Sequence, residues 1–222
     1  MVRVSTNMQS DELAELAKEG GLIAYFGYGS LVNPATHRTN VLHYERARLR
    51  GFSRQWQGRP DSADQPIALL SSAPSNADDL LDGLLVFDRL ENLTALDERE
   101  AGYDRLDVQR SDMFLVNGNV LPDCPLYVYS GRKPASPDKE HFILQSYLDA
   151  VLQGYLHQYG IEGARNFIVR TSAFDTKLLT DRDSPRYPRA VELSHEEAAH
   201  IDALTDFMKH ASPSQHLDSL QF

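Results

Sequence analysis

The sequence predicts an α+β fold, a mixed β-sheet with flanking helices, and three observations carry that expectation. An unbroken apolar run over 22–26 has the length and composition of a buried strand. A long segment near the middle of the chain repeats its apolar residues at helical spacing. Around these two, strands and helices alternate irregularly, and several neighbouring strands suit antiparallel pairing, which disfavours a regular doubly wound sheet.

In chain order, Ser10 can cap a helix over 11–19, stopped by Gly20 and Gly21. The strand at 22–26 runs into Gly27, Tyr28, Gly29, Ser30 and Leu31, after which Asn33 and Pro34 read as the cap and first turn of a helix. Strands are expected around 47–56, 67–71 and 81–87, separated by turn-rich stretches at 58–65 and 74–79. A helix over 91–100 ends at Gly102; strand follows at 103–110, a turn at Asn117 and Gly118, then strand at 126–129. The longest helix is expected over 137–159, capped by Ser136 and ended by Gly160. Ile143, Tyr147, Val151, Leu152, Tyr155 and Tyr159 form its stripe.

Beyond Gly163 the pattern changes. A strand is expected at 166–170, followed by a charged, proline-bearing stretch over 180–189. Ser194 with Glu197 makes a capping box for a last helix over 195–209, and 211–222 reads as frayed. The organisation expected is an N-terminal helical extension (1–21), a main domain (22–163) and a C-terminal extension (164–222) packed on that domain.

Composition narrows the function classes. The 222 residues, 41% of them hydrophobic, suit one cored domain with appendages. A net charge of -10 argues against a phosphate-backbone binder, so no nucleic-acid partner is expected. No apolar run approaches the roughly 18–20 residues needed to span a bilayer, and the polar N-terminus lacks a signal-peptide core, so the reading is cytoplasmic and without a membrane partner. The single cysteine, Cys124, excludes an intrachain disulfide, and a small buried thiol is its commoner role than a nucleophile. The eight histidines contain no His-x-x-x-His pair, and no metal site is expected.

Two segments carry chemistry. Gly27 and Gly29 let a backbone approach a ligand closely, and free N–H groups near a helix start can point at a carboxylate or phosphate. Val32 stands where a dinucleotide-binding fingerprint wants a third glycine, no phosphate-loop lysine follows, and Tyr28 and Val32 replace the glycines of a nucleophile elbow around Ser30. The bland alternative is a glycine turn joining a strand to a helix. The second segment is 93–100. At about 100° per residue, Glu100 falls between Leu93 and Leu96 on the apolar stripe, whereas Glu98 points nearly opposite. An inward carboxylate costs free energy unless it is paired or has a task such as proton transfer. Its structural alternative is a swing to solvent or a pair with Arg99 or Arg105.

Together these segments resemble the γ-glutamylcyclotransferase family over about 22–160. The apolar strand entering Tyr-Gly-Ser-(Asn or Leu) is similar to Tyr28, Gly29, Ser30 and Leu31, and Leu-Asp-x-x-Glu with a nearby tyrosine is similar to Leu96, Asp97, Glu100 and Tyr103. Tyr127 in a strand and Tyr147 in the long helix are looser matches. The resemblance implies a mixed sheet curled into a small barrel with flanking helices. It also implies a cofactor-independent reaction in which a γ-glutamyl substrate closes to 5-oxoproline, expelling an amine or amino acid. Glu100 would be the general acid/base, and Tyr28, Gly29, Ser30, Leu31, Tyr103, Tyr127 and Tyr147 would bind the small-molecule substrate. Glutathione-specific members resemble Arg-Glu-x-x-Gly-Tyr, and Arg99-Glu100-Ala101-Gly102-Tyr103 is one residue shorter.

In the C-terminal extension, Arg182, Arg186 and Arg189 stand among prolines and Tyr187. One reading folds them over the cavity mouth to meet a second carboxylate; the other is a surface loop with self-neutralised charge. Tyr155 and Tyr159 read as core. A non-catalytic binder of a small carboxylate or of a protein partner remains the alternative to an enzyme.

Overall fold

The computed structural model describes residues 8–37, 39–58, 66–132, 141–174 and 176–210. The first half runs α1 (Ser10–Lys18), β1 (Leu22–Gly27), β2 (His43–Arg50), β3 (Phe52–Gly58), β4 (Ile67–Pro74), β5 (Leu80–Arg89) and α2 (Leu93–Arg99). The second half runs β6 (Tyr103–Asp107), β7 (Met113–Leu115), β8 (Leu126–Gly131), β9 (Phe142–Leu144), α3 (Gln145–Val169), β10 (Thr171–Ser172), β11 (Lys177–Leu179) and α4 (His195–His210).

Six strands form one sheet in the order β6-β8-β1-β5-β2-β7, and five form another in the order β10-β3-β4-β9-β11. β1 pairs antiparallel with β5 and parallel with β8, so the sheet is mixed. The whole is an α+β structure, a strongly curled half-barrel with flanking helices. The two sheets join at β4 and β8, where Ser130 Oγ donates to the Ser72 carbonyl (2.6 Å) and Gly131 N–H to Ser71 Oγ (2.9 Å).

β1 has no exposed residue because it lies inside the six-stranded sheet with both faces covered, which is why its sequence is an apolar run rather than an alternation. The single strand expected at 47–56 is two: the chain turns at Gly51 (φ 75°) between β2 and β3. The helix expected over 137–159 starts only at Gln145, because Phe142–Leu144 pair between β4 and β11; Ser136 and Pro137 lie outside the described residues. The strand expected at 166–170 is instead the last part of α3.

α3 breaks at Gly160, whose φ of 69° and ψ of -171° leave the helical region; a side chain there would be strained. From Ser146 to Tyr155 it is buried on every side. Two of its buried polar residues, Asp149 and Gln153, are met by partners: Arg182 pairs with Asp149 (2.8 Å), and Asn33 Nδ2 donates to Gln153 Oε1 (2.8 Å). Beyond 163 the chain completes α3, adds β10 and β11 to the five-stranded sheet, and packs α4 against α3. No helix among the described residues is long and apolar enough to cross a membrane.

Candidate active site

The loop after β1 is placed by a close approach. A Cβ at Gly27 would lie 2.5 Å from Leu31 Cβ, so only glycine lets the chain fold back over the strand end. The expected helix at Asn33 is two short 3₁₀ turns, Ser30–Val32 and Pro34–Thr36, with the Asn33 side chain accepting from Ala35 N–H.

Behind this loop four successive carbonyls are taken up. Arg54 Nη1 donates to Tyr28 O (3.0 Å), Val32 N–H to Gly29 O (3.0 Å), Thr36 Oγ1 to Ser30 O (2.7 Å), and His37 Nε2 lies 2.9 Å from Leu31 O. In a trans peptide the N–H opposes the carbonyl. Fixing the carbonyls of Tyr28, Gly29 and Ser30 therefore fixes the N–H groups of Gly29, Ser30 and Leu31. None of these three N–H groups has a hydrogen-bond partner among the described residues. They are the open donors that begin a helical turn, and all three residues line a cavity.

The clamps behind the loop are themselves buried. Arg54 is 2% exposed and meets no carboxylate among the described residues; its other donors go to Thr171 Oγ1 (2.8 Å), the Tyr155 hydroxyl (2.5 Å) and Phe167 O (3.2 Å). The Tyr155 hydroxyl has one proton to share between Tyr28 O (3.1 Å) and Asp82 O (2.8 Å). Burial lowers the His37 pKa to about 4, so the ring is neutral at pH 7 and carries its proton on Nε2, toward the Leu31 carbonyl.

Glu100 is the residue that follows α2. Its N–H still donates to Leu96 O (3.0 Å), and its φ of -98° and ψ of 26° turn the chain toward β6. Its side chain is 12% exposed and lines the same cavity, whereas Glu98 is exposed. Arg99 is the partner: its Nε lies 2.9 Å from Glu100 Oε1, and its Nη1 donates to Thr36 O (2.9 Å), tying the carboxylate to the loop. Glu100 Oε2 makes no hydrogen bond among the described residues. Inward placement and an arginine partner therefore coexist, one oxygen being held and the other open.

Tyrosines furnish much of the remaining wall. The cavity encloses about 550 Å³, its open mouth included, and is lined also by Tyr103, Tyr129, Tyr147, Tyr187 and Arg189. Tyr28 donates to Tyr129 O (2.5 Å) and Tyr103 to Leu70 O (2.8 Å). Burial raises the Tyr28 and Tyr147 phenol pKa values, so both stay protonated. Tyr147 is packed edge-on to Trp56 (5.7 Å between rings) and tilted against Tyr187 (4.8 Å).

Of the residues expected at the site, Tyr28, Gly29, Ser30, Leu31, Glu100, Tyr103 and Tyr147 meet in this cavity. Tyr127 does not line it; its ring lies beneath the Arg105 guanidinium (4.8 Å), and Tyr129, two residues along β8, lines the cavity instead. Arg105 also pairs with Asp97, so it is not the partner of Glu100. Cys124 lies elsewhere, and burial pushes its thiol up to about 12, which leaves little thiolate at neutral pH. Among the described residues no group of three or more histidine, cysteine or acidic side chains is placed to hold a metal ion.

The strongly curled half-barrel sheet with its flanking helices defines a class of fold. It is the γ-glutamylcyclotransferase fold: a solved γ-glutamyl cyclotransferase is similar at 17% identity, over 82% of this chain and 99% of that one, with a TM-score of 0.50. Also similar are an uncharacterised protein from Homo sapiens (18% identity, 82% and 99% covered, TM-score 0.47) and a yeast γ-glutamyl cyclotransferase specific to glutathione (17%, 87% and 99%, 0.42). Likeness at these identities speaks to the fold alone, and the first of the three carries it. No family model and no curated protein matches the sequence.

Proposed function

We propose that the protein converts a γ-glutamyl amide to 5-oxoproline and releases an amine or amino acid. The observation that supports this best is that Gly29, Ser30 and Leu31, whose N–H groups have no hydrogen-bond partner among the described residues, line the same cavity as Glu100, whose Oε2 likewise has none there. Donors and an acid/base in one cavity suit acyl transfer.

In this reading Glu100 takes a proton from the substrate's α-amino group. The amine nitrogen bonds to the γ-carbonyl carbon, and the oxygen's developing charge falls to the loop N–H groups. The protonated Glu100 returns its proton to the departing nitrogen as the old C–N bond breaks, leaving the enzyme unchanged. Nucleophile and electrophile share one molecule, so holding the folded substrate supplies much of the rate, and a positioned acid/base adds about 10²–10⁴-fold. Arg99 keeps Glu100 oriented through Oε1.

The pairing of Glu100 with Arg99 gives one specific reason to consider the other reading, a binder of small carboxylates without turnover. Incubation with γ-glutamyl amines, amino acids, peptides and glutathione, with mass-spectrometric detection of 5-oxoproline, separates the two. The cyclotransferase reading expects release from at least one class; binding of these compounds without release from any favours the binder.

A further inference from the structure

The segment between β11 and α4 reaches the cavity with Tyr187 and Arg189, and it is firmly fastened. Asp181 accepts from Ser146 N–H (2.7 Å) and Ser146 Oγ (2.6 Å) at the start of α3, and from Arg186 N–H (2.9 Å). Arg182 is clamped by both Asp149 and Asp202, each at 2.8 Å. Tyr187 is 6% exposed, its N–H donates to Ser146 Oγ (3.2 Å), and its ring packs on Tyr147.

Arg189 differs from the other arginines around the site. Arg99 is charge-paired with Glu100 and leaves one buried nitrogen, Nη2, without a partner among the described residues, Arg54 has carbonyls and hydroxyls, and Arg182 has two aspartates. Arg189 donates from Nε to the Tyr187 hydroxyl (3.0 Å) and lies over that ring at 5.0 Å, while both terminal nitrogens lack a partner among the described residues. Its guanidinium is thus oriented from one edge and open along the other, in a chain of net charge -10. A planar fork with two free nitrogens matches a carboxylate with two parallel hydrogen bonds.

We propose that Arg189, held by Tyr187, is a specificity-determining subsite for a carboxylate on the leaving group. This selects γ-glutamyl amino acids, or short peptides with a free carboxylate, over γ-glutamylamines. The proposal rests on the cyclotransferase reading, in which the loop N–H groups serve the glutamyl half and leave this cation for a second anion. The surface-loop alternative fits Arg182, whose charge is neutralised within the protein, and not Arg189.

The test uses γ-glutamylalanine and γ-glutamylethylamide, which differ by that carboxylate alone. Wild type and Arg189→Gln are compared by kcat/KM and, on the same folded samples, by calorimetric binding. The expected result is a wild-type preference for the acid that falls about 10- to 100-fold in Arg189→Gln, mostly through KM, and is partly restored in Arg189→Lys. Equal losses on both substrates, or no wild-type preference, would overturn it while leaving the cyclotransferase reading intact. If wild type turns over neither compound, the cyclotransferase reading stands or falls on the peptides and glutathione of the wider panel. Binding then decides the subsite: acid-selective binding lost in Arg189→Gln upholds it, and unselective or absent binding overturns it.

Discussion

The turn from Tyr28 to Leu31 and the segment from Tyr187 to Arg189 line one cavity but are built differently. The first leaves an interior strand of the sheet and has its carbonyls gripped by Arg54, Tyr155, Thr36 and His37, all buried. The second is an irregular stretch outside any strand, fastened through Asp181 and Tyr187 but ending on a half-exposed arginine with open nitrogens. The difference teaches where each kind of task sits. Under the proposed function, the donors for the glutamyl half are held by buried groups around an interior strand, whereas the cation for the leaving group stands at the half-exposed end of a segment anchored on α3.

The strongest way to break this contrast is Arg54→Ala. Losing a buried side chain and its hydrogen bonds to Tyr28, Tyr155, Thr171 and Phe167 should cost about 3–5 kcal/mol by denaturant unfolding. A cost no larger than that of Arg189→Gln would erase the distinction between the walls.

Acid sharpens it next. The unfolded imidazole of His37 protonates near pH 6.5, whereas the buried ring resists until about pH 4. Between these values the unfolded state binds more protons, so the contribution is complete above about pH 6.5 and lost as the pH falls toward 4, by about 3 kcal/mol. Stability of His37→Gln should be flatter across that window; an unchanged slope would show that His37 is not responsible. The smallest effect is expected of Tyr155→Phe, which keeps the ring and removes one hydroxyl from the Arg54 and Tyr28 cluster. It should cost about 1–2 kcal/mol in the same unfolding measurement. No measurable cost would mean that Arg54 holds the Tyr28 carbonyl without help.

The core-built wall was the legible one. An apolar run ending in two glycines announces an interior strand and a close backbone approach, and helical angles alone separate Glu100 from Glu98. Gly160 was legible as a break because its conformation demands glycine. Other features left no local signal. The start of α3 was misplaced because Ile143 and Tyr147 keep helical spacing across a strand-to-helix junction, and only pairing with β4 and β11 makes the first of them a strand residue. A helix buried on every side has no polar face to set its phase, and Asp149 and Gln153 are tolerated inside it only through partners distant in sequence. Tyr127 and Tyr129 are chemically alike and share a strand, so placement under Arg105 or against the cavity was decided by the fold. The sequence likewise offered three arginines in the extension, and only their partners distinguish Arg182 from Arg189.

The most direct measurement compares 5-oxoproline release by wild type, Glu100→Gln and Glu98→Gln, with folding of each confirmed by circular dichroism. If Glu100 is the acid/base of a cyclotransferase, the first substitution lowers kcat by about 100-fold or more, and the second, on the exposed side of α2, changes it little. Turnover that survives Glu100→Gln, or falls equally in both variants, would contradict the account.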